Sequence, residues 1–226
     1  MKKTDNIVEK YMDIISMYYD TDVMDDIMRR WNEPHRHYHG IGHLSDILKR
    51  IDNSFISEWN DHPLMSDIYK AFILAAFFHD IIYIPTERDN EERSMKYFVR
   101  VSHKVPLEVK RMVINMIECT EHREIPKNKI NLSFWMFDYA PIWDNTKEGL
   151  IKYEHDIFDE YKFVDIEQYK EKRIKFLEST KKLFNDSNVD KNMDFLINYV
   201  NNRNYKKKIN WYGRLQLRCR NTKTPC

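Results

Sequence analysis

Apolar residues recur along this chain with the period of a helix. Ile7, Tyr11, Ile14 and Ile15 share one face of a segment that follows Thr4. Val23, Ile27 and Trp31 share another after Asp20, a residue suited to cap the helix it precedes. Leu44, Ile47, Leu48 and Ile51 stand at i, i+3, i+4 and i+7. Ile68, Ala71, Phe72, Ala75 and Phe78 make a fourth stripe, and Ile73, Leu74, Ala76 and Phe77 fill its other sides. A helix apolar nearly all round belongs in the centre of a bundle. Asp89 with Glu92 predicts a capping box that opens a helix through Met95, Phe98 and Val99. Pro106 predicts the start of the next, which carries Val109, Met112, Val113, Met116 and Ile117. Helical patterns continue over 131–143, 146–161, 166–184 and 189–200, with no internal repeat and no convincing strands. The expected fold class is all-α, a single helical bundle over residues 1–204.

Composition narrows the picture. The 226 residues are 42% hydrophobic and 14% aromatic, enough to pack a core, so wholesale disorder is excluded. The four glycines form neither a G-x-G-x-x-G nor a P-loop, which removes the Rossmann and P-loop nucleotide sites. The longest apolar run, 71–78, has eight residues, against the roughly 18 that a membrane helix needs. The N-terminal residues run into an amphipathic stretch rather than a signal-peptide core. The expectation is a soluble, cytoplasmic protein with no membrane partner. Cys119, Cys219 and Cys226 make no C-x-x-C and no even framework, so zinc-finger and disulfide-scaffold readings fail.

The net charge of +1 hides an asymmetry. Residues 205–226 hold seven basic and no acidic groups, leaving 30 basic against 36 acidic groups in residues 1–204. Trp211 and Tyr212 lie among the tail's cations, a pattern that would suit nucleic acid. Ile209, Trp211, Leu215 and Leu217 alternate instead of following a 3.6 period, so a poorly ordered, solvated extension is the stronger expectation.

Histidine carries the candidate chemistry. His35, His37, His39 and His43 fall within nine positions, and His79 with Asp80 closes the most apolar helix. Burying an adjacent imidazole and carboxylate is costly unless something neutralises or ligates them. Inside a continuous helix the two side chains point about 100° apart; at a terminus both can reach one cation. The plain alternative is that His79 caps the helix and Asp80 begins a turn. Asp89 has a sufficient structural role as an N-cap.

The segment Trp31-Asn32-Glu33-Pro34-His35-Arg36-His37-Tyr38-His39, with His43-Leu44, resembles the W-x-E-P-x-R-x-Y-H-x-x-x-H-L opening of one branch of the HD superfamily of metal-dependent phosphohydrolases. Phe78-His79-Asp80 and Asp89-Asn90-Glu91-Glu92-Arg93-Ser94 match that branch's F-H-D and D-N-E-x-x-S segments. Thr120 and His122 match a T-x-H pair, Asp138 a later aspartate, and Tyr169, Arg173 and Leu177 a Y…R…L pattern. The resemblance spans roughly residues 5–200.

It implies that His43, His79, Asp80 and Asp138 hold a divalent ion (Mn²⁺, Mg²⁺, Fe²⁺, Co²⁺ or Ni²⁺), in a phosphohydrolase of the HD type. The substrate it implies is a phosphorylated small molecule, foremost a nucleotide. Two imidazoles and two carboxylates suit such a borderline-to-hard ion. Their separation in sequence demands three separate helices, as a bundle-core site would. His39 competes with His43 for the first ligand position, being four residues away; the apolar face around Leu44 and Ile47 favours His43. Arg36 and His39 are then expected on a substrate phosphate, with a structural Glu33–Arg36 pair as the alternative for Arg36. Glu91 and His122 are the expected catalytic groups, orienting a water and offsetting leaving-group charge. The rival reading is a non-catalytic module that holds a nucleotide or protein in the same pocket.

Overall fold

A computed structural model describes residues 6–58, 67–121, 124–203 and 205 of the chain. Among these residues there are eleven helices and no strand. They are α1 (Asn6–Ser16), α2 (Thr21–Trp31), α3 (Ile41–Glu58), α4 (Asp67–Phe78), α5 (Asn90–Val101), α6 (Leu107–Cys119), α7 (Lys129–Asp138), α8 (Ala140–Trp143), α9 (Lys147–Tyr161), α10 (Ile166–Phe184) and α11 (Ser187–Asn202). The all-α expectation holds. None of the helices is long and apolar enough to cross a membrane.

Most starts follow the local chemistry of their first turns. Asp20, Asn128, Thr146, Asp165 and Asp186 each accept a backbone N–H from the first turn of the helix they precede. The start of α5 departs from the expected capping box. Asp89 makes no side-chain cap bond, and Glu92 pairs with Lys96 instead. The preceding loop is tied down by buried polar residues one turn further on. Asn90 bonds both backbone groups of Ile84, and Ser94 Oγ bonds both of Ile82. Pro106 stands at the N-cap of α6, just outside its first turn.

Two hydrophobic cores result. The first joins α1 to α6 around α4, whose residues from Ala71 to Phe78 are all buried. The face of α3 predicted from the sequence, Leu44, Ile47, Leu48 and Ile51, is fully buried there. The second core joins α7 to α11, with Tyr153, Ile157, Tyr169, Leu177 and Leu196 inside it. Helix α7 belongs to both: Phe134 enters the first core and Trp135 the second. Its last residue, Asp138, therefore lies at the seam. Tyr205 is buried in the second core, so the packed body reaches one residue past the boundary expected at 204. Residues 206–226, and with them the expected basic tail, lie outside the described residues.

Candidate metal centre

The backbone N–H of His79 donates to Ala75, continuing the α4 ladder one step past Phe78. Its Nδ1 donates to the Ala76 carbonyl at 3.0 Å. With Nδ1–H committed there, the neutral imidazole carries its lone pair on Nε2. Trp31 and Phe134 close on the ring at centroid distances of 5.7 and 5.8 Å, and Trp31 is anchored by donating its indole N–H to the Phe77 carbonyl. The sequence has built a fixed ligand.

His43, in the first turn of α3, brings its Nε2 to 3.2 Å from His79 Nε2 and 3.0 Å from Asp138 Oδ1. Asp80 Oδ2 lies 3.2 Å from His79 Nε2 and 3.8 Å from His43 Nε2. His43, His79 and Asp138 each offer a ligand atom within 4.8 Å of the others. Ligands about 2.0–2.2 Å from one ion lie about 3.0–3.5 Å apart. Three of the distances here fall in that range, while His79 Nε2–Asp138 Oδ1 at 3.7 Å and His43 Nε2–Asp80 Oδ2 at 3.8 Å lie just beyond it. The donor set therefore fits a divalent cation on chemistry and on distance. His39 is not in this group; its Nδ1 bonds Glu160 Oε2 instead.

The charges in this cluster answer one another. Burial works to lower the His79 pKa, but the Asp80 carboxylate, and then Asp138, outweigh it and hold the imidazole up at about 9. Burial would raise Asp80, yet His79 beside it drives the carboxyl well below its ordinary range. A cation bound here displaces the imidazole proton, so uptake releases protons and weakens in acid.

The cluster opens into a cleft of about 810 Å³ whose wall includes Asp80, Asp138, His39, Glu91, Tyr153 and Arg173. A smaller cavity of about 490 Å³ lies among Arg30, His35, Arg93 and Arg100, and none of the clustered residues lines it. The remaining expected site residues divide. Glu91, in the first turn of α5, and His39 both line the larger cleft. His122 lies outside the described residues.

Arg36 stands apart from its expected place on a phosphate. Its guanidinium is buried and donates to Glu33 and to the backbone carbonyls of His39, Asp80 and Ile81. It does not line the cleft. Arg36 is a clamp that ties the His-rich loop to the His79-Asp80 turn.

Two buried carboxylates on α9 escaped the sequence reading. Glu160 Oε1 accepts three successive backbone N–H groups, from His37, Tyr38 and His39, each at 2.8 Å. Such a run of N–H groups is an anion nest, here filled by the protein's own carboxylate. Glu160 Oε2 accepts from His39 Nδ1 and the Tyr83 hydroxyl, both at 2.7 Å. Burial works to lower the His39 pKa, but the Glu160 charge prevails and raises it; burial would raise Glu160, yet His39 and then Tyr83 take it down to about 2. Glu154 accepts from the Tyr169 hydroxyl at 2.6 Å and from Arg173 Nε at 2.8 Å. The signal was present: both glutamates fall on the apolar face of α9 defined by Leu150, Tyr153 and Ile157.

Comparisons with family models, with curated proteins and with solved structures give no match to this chain.

Proposed function

We propose that this chain is a metal-dependent phosphohydrolase that cleaves a phosphoester or phosphoanhydride of a small molecule, a nucleotide first among them. One observation carries the reading: His43, His79 and Asp138 offer ligand atoms within 4.8 Å of one another, Asp80 stands beside His79, and Asp80 and Asp138 line a cleft together with aromatic and cationic side chains. The HD-type motifs that bring His43, His79, Asp80 and Asp138 into the sequence point the same way.

His43, His79, Asp80 and Asp138 would hold a divalent ion, which when bound would polarise a phosphoryl oxygen and lower the pKa of a water. His39, whose pKa the Glu160 charge raises, lies on the cleft wall where it would offset phosphate charge. Glu91 is the carboxylate on that wall assigned to orient the attacking water. The aromatic wall, Tyr139 and Tyr153 among it, offers flat surfaces for a base. A cleft of about 810 Å³ lies within the range of small-molecule sites.

The test combines metal analysis with turnover. The purified chain takes up about one divalent ion, and His79→Ala abolishes that uptake while leaving a cooperative melt. With Mn²⁺, Mg²⁺, Co²⁺ or Ni²⁺ supplied, a nucleotide panel releases phosphate or pyrophosphate, and His79→Ala does not. Nucleotide-dependent stabilisation with no product after long incubation would replace this reading with that of a binding module.

A further inference from the structure

One buried arginine of the Y…R…L pattern lines the cleft and has been given no role by the motif or by the metal cluster. Arg36, in the His-rich loop, donates to four acceptors. Arg173, on α10, is only 7% exposed and lines the cleft, as do Asp80 and Asp138. Its Nε is held by Glu154, and its guanidinium carbon lies 4.9 Å from the Tyr153 ring centroid and 5.0 Å from that of Phe176. Its Nη2 is buried and meets no hydrogen-bond partner among the described residues. Leaving a buried charged donor unmet is costly, and native proteins seldom leave one without a use.

The geometry points to the Arg173 guanidinium as the contact for a phosphate oxygen of the cleft's ligand. Glu154 fixes the guanidinium by its Nε edge and balances its charge, and Nη2 is left without a partner among the described residues. Guanidinium N–H groups match phosphate oxygens in length and angle better than an ammonium does. Lys172 and Lys175 also line the cleft and are exposed. The cleft then has carboxylates of the metal cluster and a guanidinium in its lining, a combination that suits a phosphate ester. The assignment rests on the phosphohydrolase reading for the identity of the anion; the contact itself is testable without turnover.

The experiment uses the full chain loaded with Mg²⁺ and inorganic phosphate as the probe, titrated by calorimetry. Arg173→Lys is expected to weaken phosphate binding at least tenfold with the metal content unchanged. The double variant R173M/E154Q removes the buried charge pair without stranding either partner, and it should lose binding to the same degree. Phosphate binding as tight as wild type in either variant that melts cooperatively and keeps its metal overturns the assignment. Should neither variant fold, the guanidinium ¹⁵N resonances of the wild-type protein decide: a saturable shift with phosphate supports the contact, and unmoved signals refute it. Phosphate binding through Arg173 with no nucleotide hydrolysed would leave this contact standing and remove the hydrolase reading. Nucleotide hydrolysis with an unchanged KM in Arg173→Lys would do the reverse.

Discussion

At Glu160 a single carboxylate accepts from three consecutive backbone N–H groups, one imidazole and one phenol. It organises the His-rich loop from 123 residues away in sequence at its furthest partner. Glu160→Gln turns one accepting oxygen into a donor facing donors, and is expected to cost about 3 kcal/mol in chemical denaturation. The pH dependence has two limbs. His39 is raised above its ordinary 6.5, so its share of the stability is full below pH 6.5 and is lost as pH rises through the raised value. Glu160 is lowered from 4.5 to about 2, so its share is full above pH 4.5 and is lost as pH falls toward 2. The stability difference between wild type and Glu160→Gln is therefore expected to be greatest between pH 4.5 and 6.5, and to shrink on both sides. A difference that is flat from pH 3 to 9 would show that the ion pair contributes nothing beyond its geometry.

At the scale of the element, helix ends decide where the site residues emerge. α4 is apolar all round, and it stops where His79 and Asp80 must turn toward the cluster. α7 stops at Asp138, with the Tyr139 backbone N–H closing onto the Trp135 carbonyl. α10 ends on Asn185, the one non-glycine residue with positive φ among those described, at φ 48° and ψ 45°. Its N–H caps the Lys181 carbonyl. Asparagine tolerates this left-handed conformation and glycine does so freely, whereas a β-branched residue does not. Asn185→Gly is expected to leave thermal stability unchanged or slightly raised. Asn185→Val is expected to lower it by about 1–2 kcal/mol. Equal melting temperatures for the two variants would mean the turn relaxes to another conformation.

Over the whole molecule, two cores meet at the site, and the far end of the described chain helps to hold the second. Tyr205 packs on Phe158 at 4.5 Å and Tyr169 at 5.8 Å between ring centroids, and lies 4.6 Å from the Arg203 guanidinium carbon. Its hydroxyl reaches Glu154, the carboxylate that fixes Arg173, at 3.4 Å. Removing the ring in Tyr205→Ala leaves a cavity and is expected to cost about 3 kcal/mol in urea unfolding of the full chain. Tyr205→Phe keeps the ring and gives up only a long hydrogen bond, so its cost is expected to stay under about 1 kcal/mol. Similar losses in both variants would assign the stability to the hydroxyl rather than to packing.

Periodicity along the chain made most helices and most of their buried faces legible, although Val99 on the expected α5 face is exposed and the stretch 131–143 breaks into α7 and α8. Period and capping act over a few residues, so Leu44, Ile47 and the run from Ala71 to Phe78 announced their burial without any knowledge of neighbours. The H-D dipeptide at the end of an apolar helix announced a buried charge problem in the same local terms. Tertiary structure decided what depends on distant partners. His39 and His43 are equivalent by spacing; only the arrival of Glu160 against one and Asp138 against the other separates them. Asp89 and Glu92 fit a capping box by spacing, but Asn90 and Ser94 hold the loop instead. Arg36 and Arg173 carry the same charge and sit in equally suggestive patterns. Three backbone carbonyls converge on the first and none saturates the second, because backbone positions far apart in sequence are brought together only by the packing of α3, α4, α9 and α10.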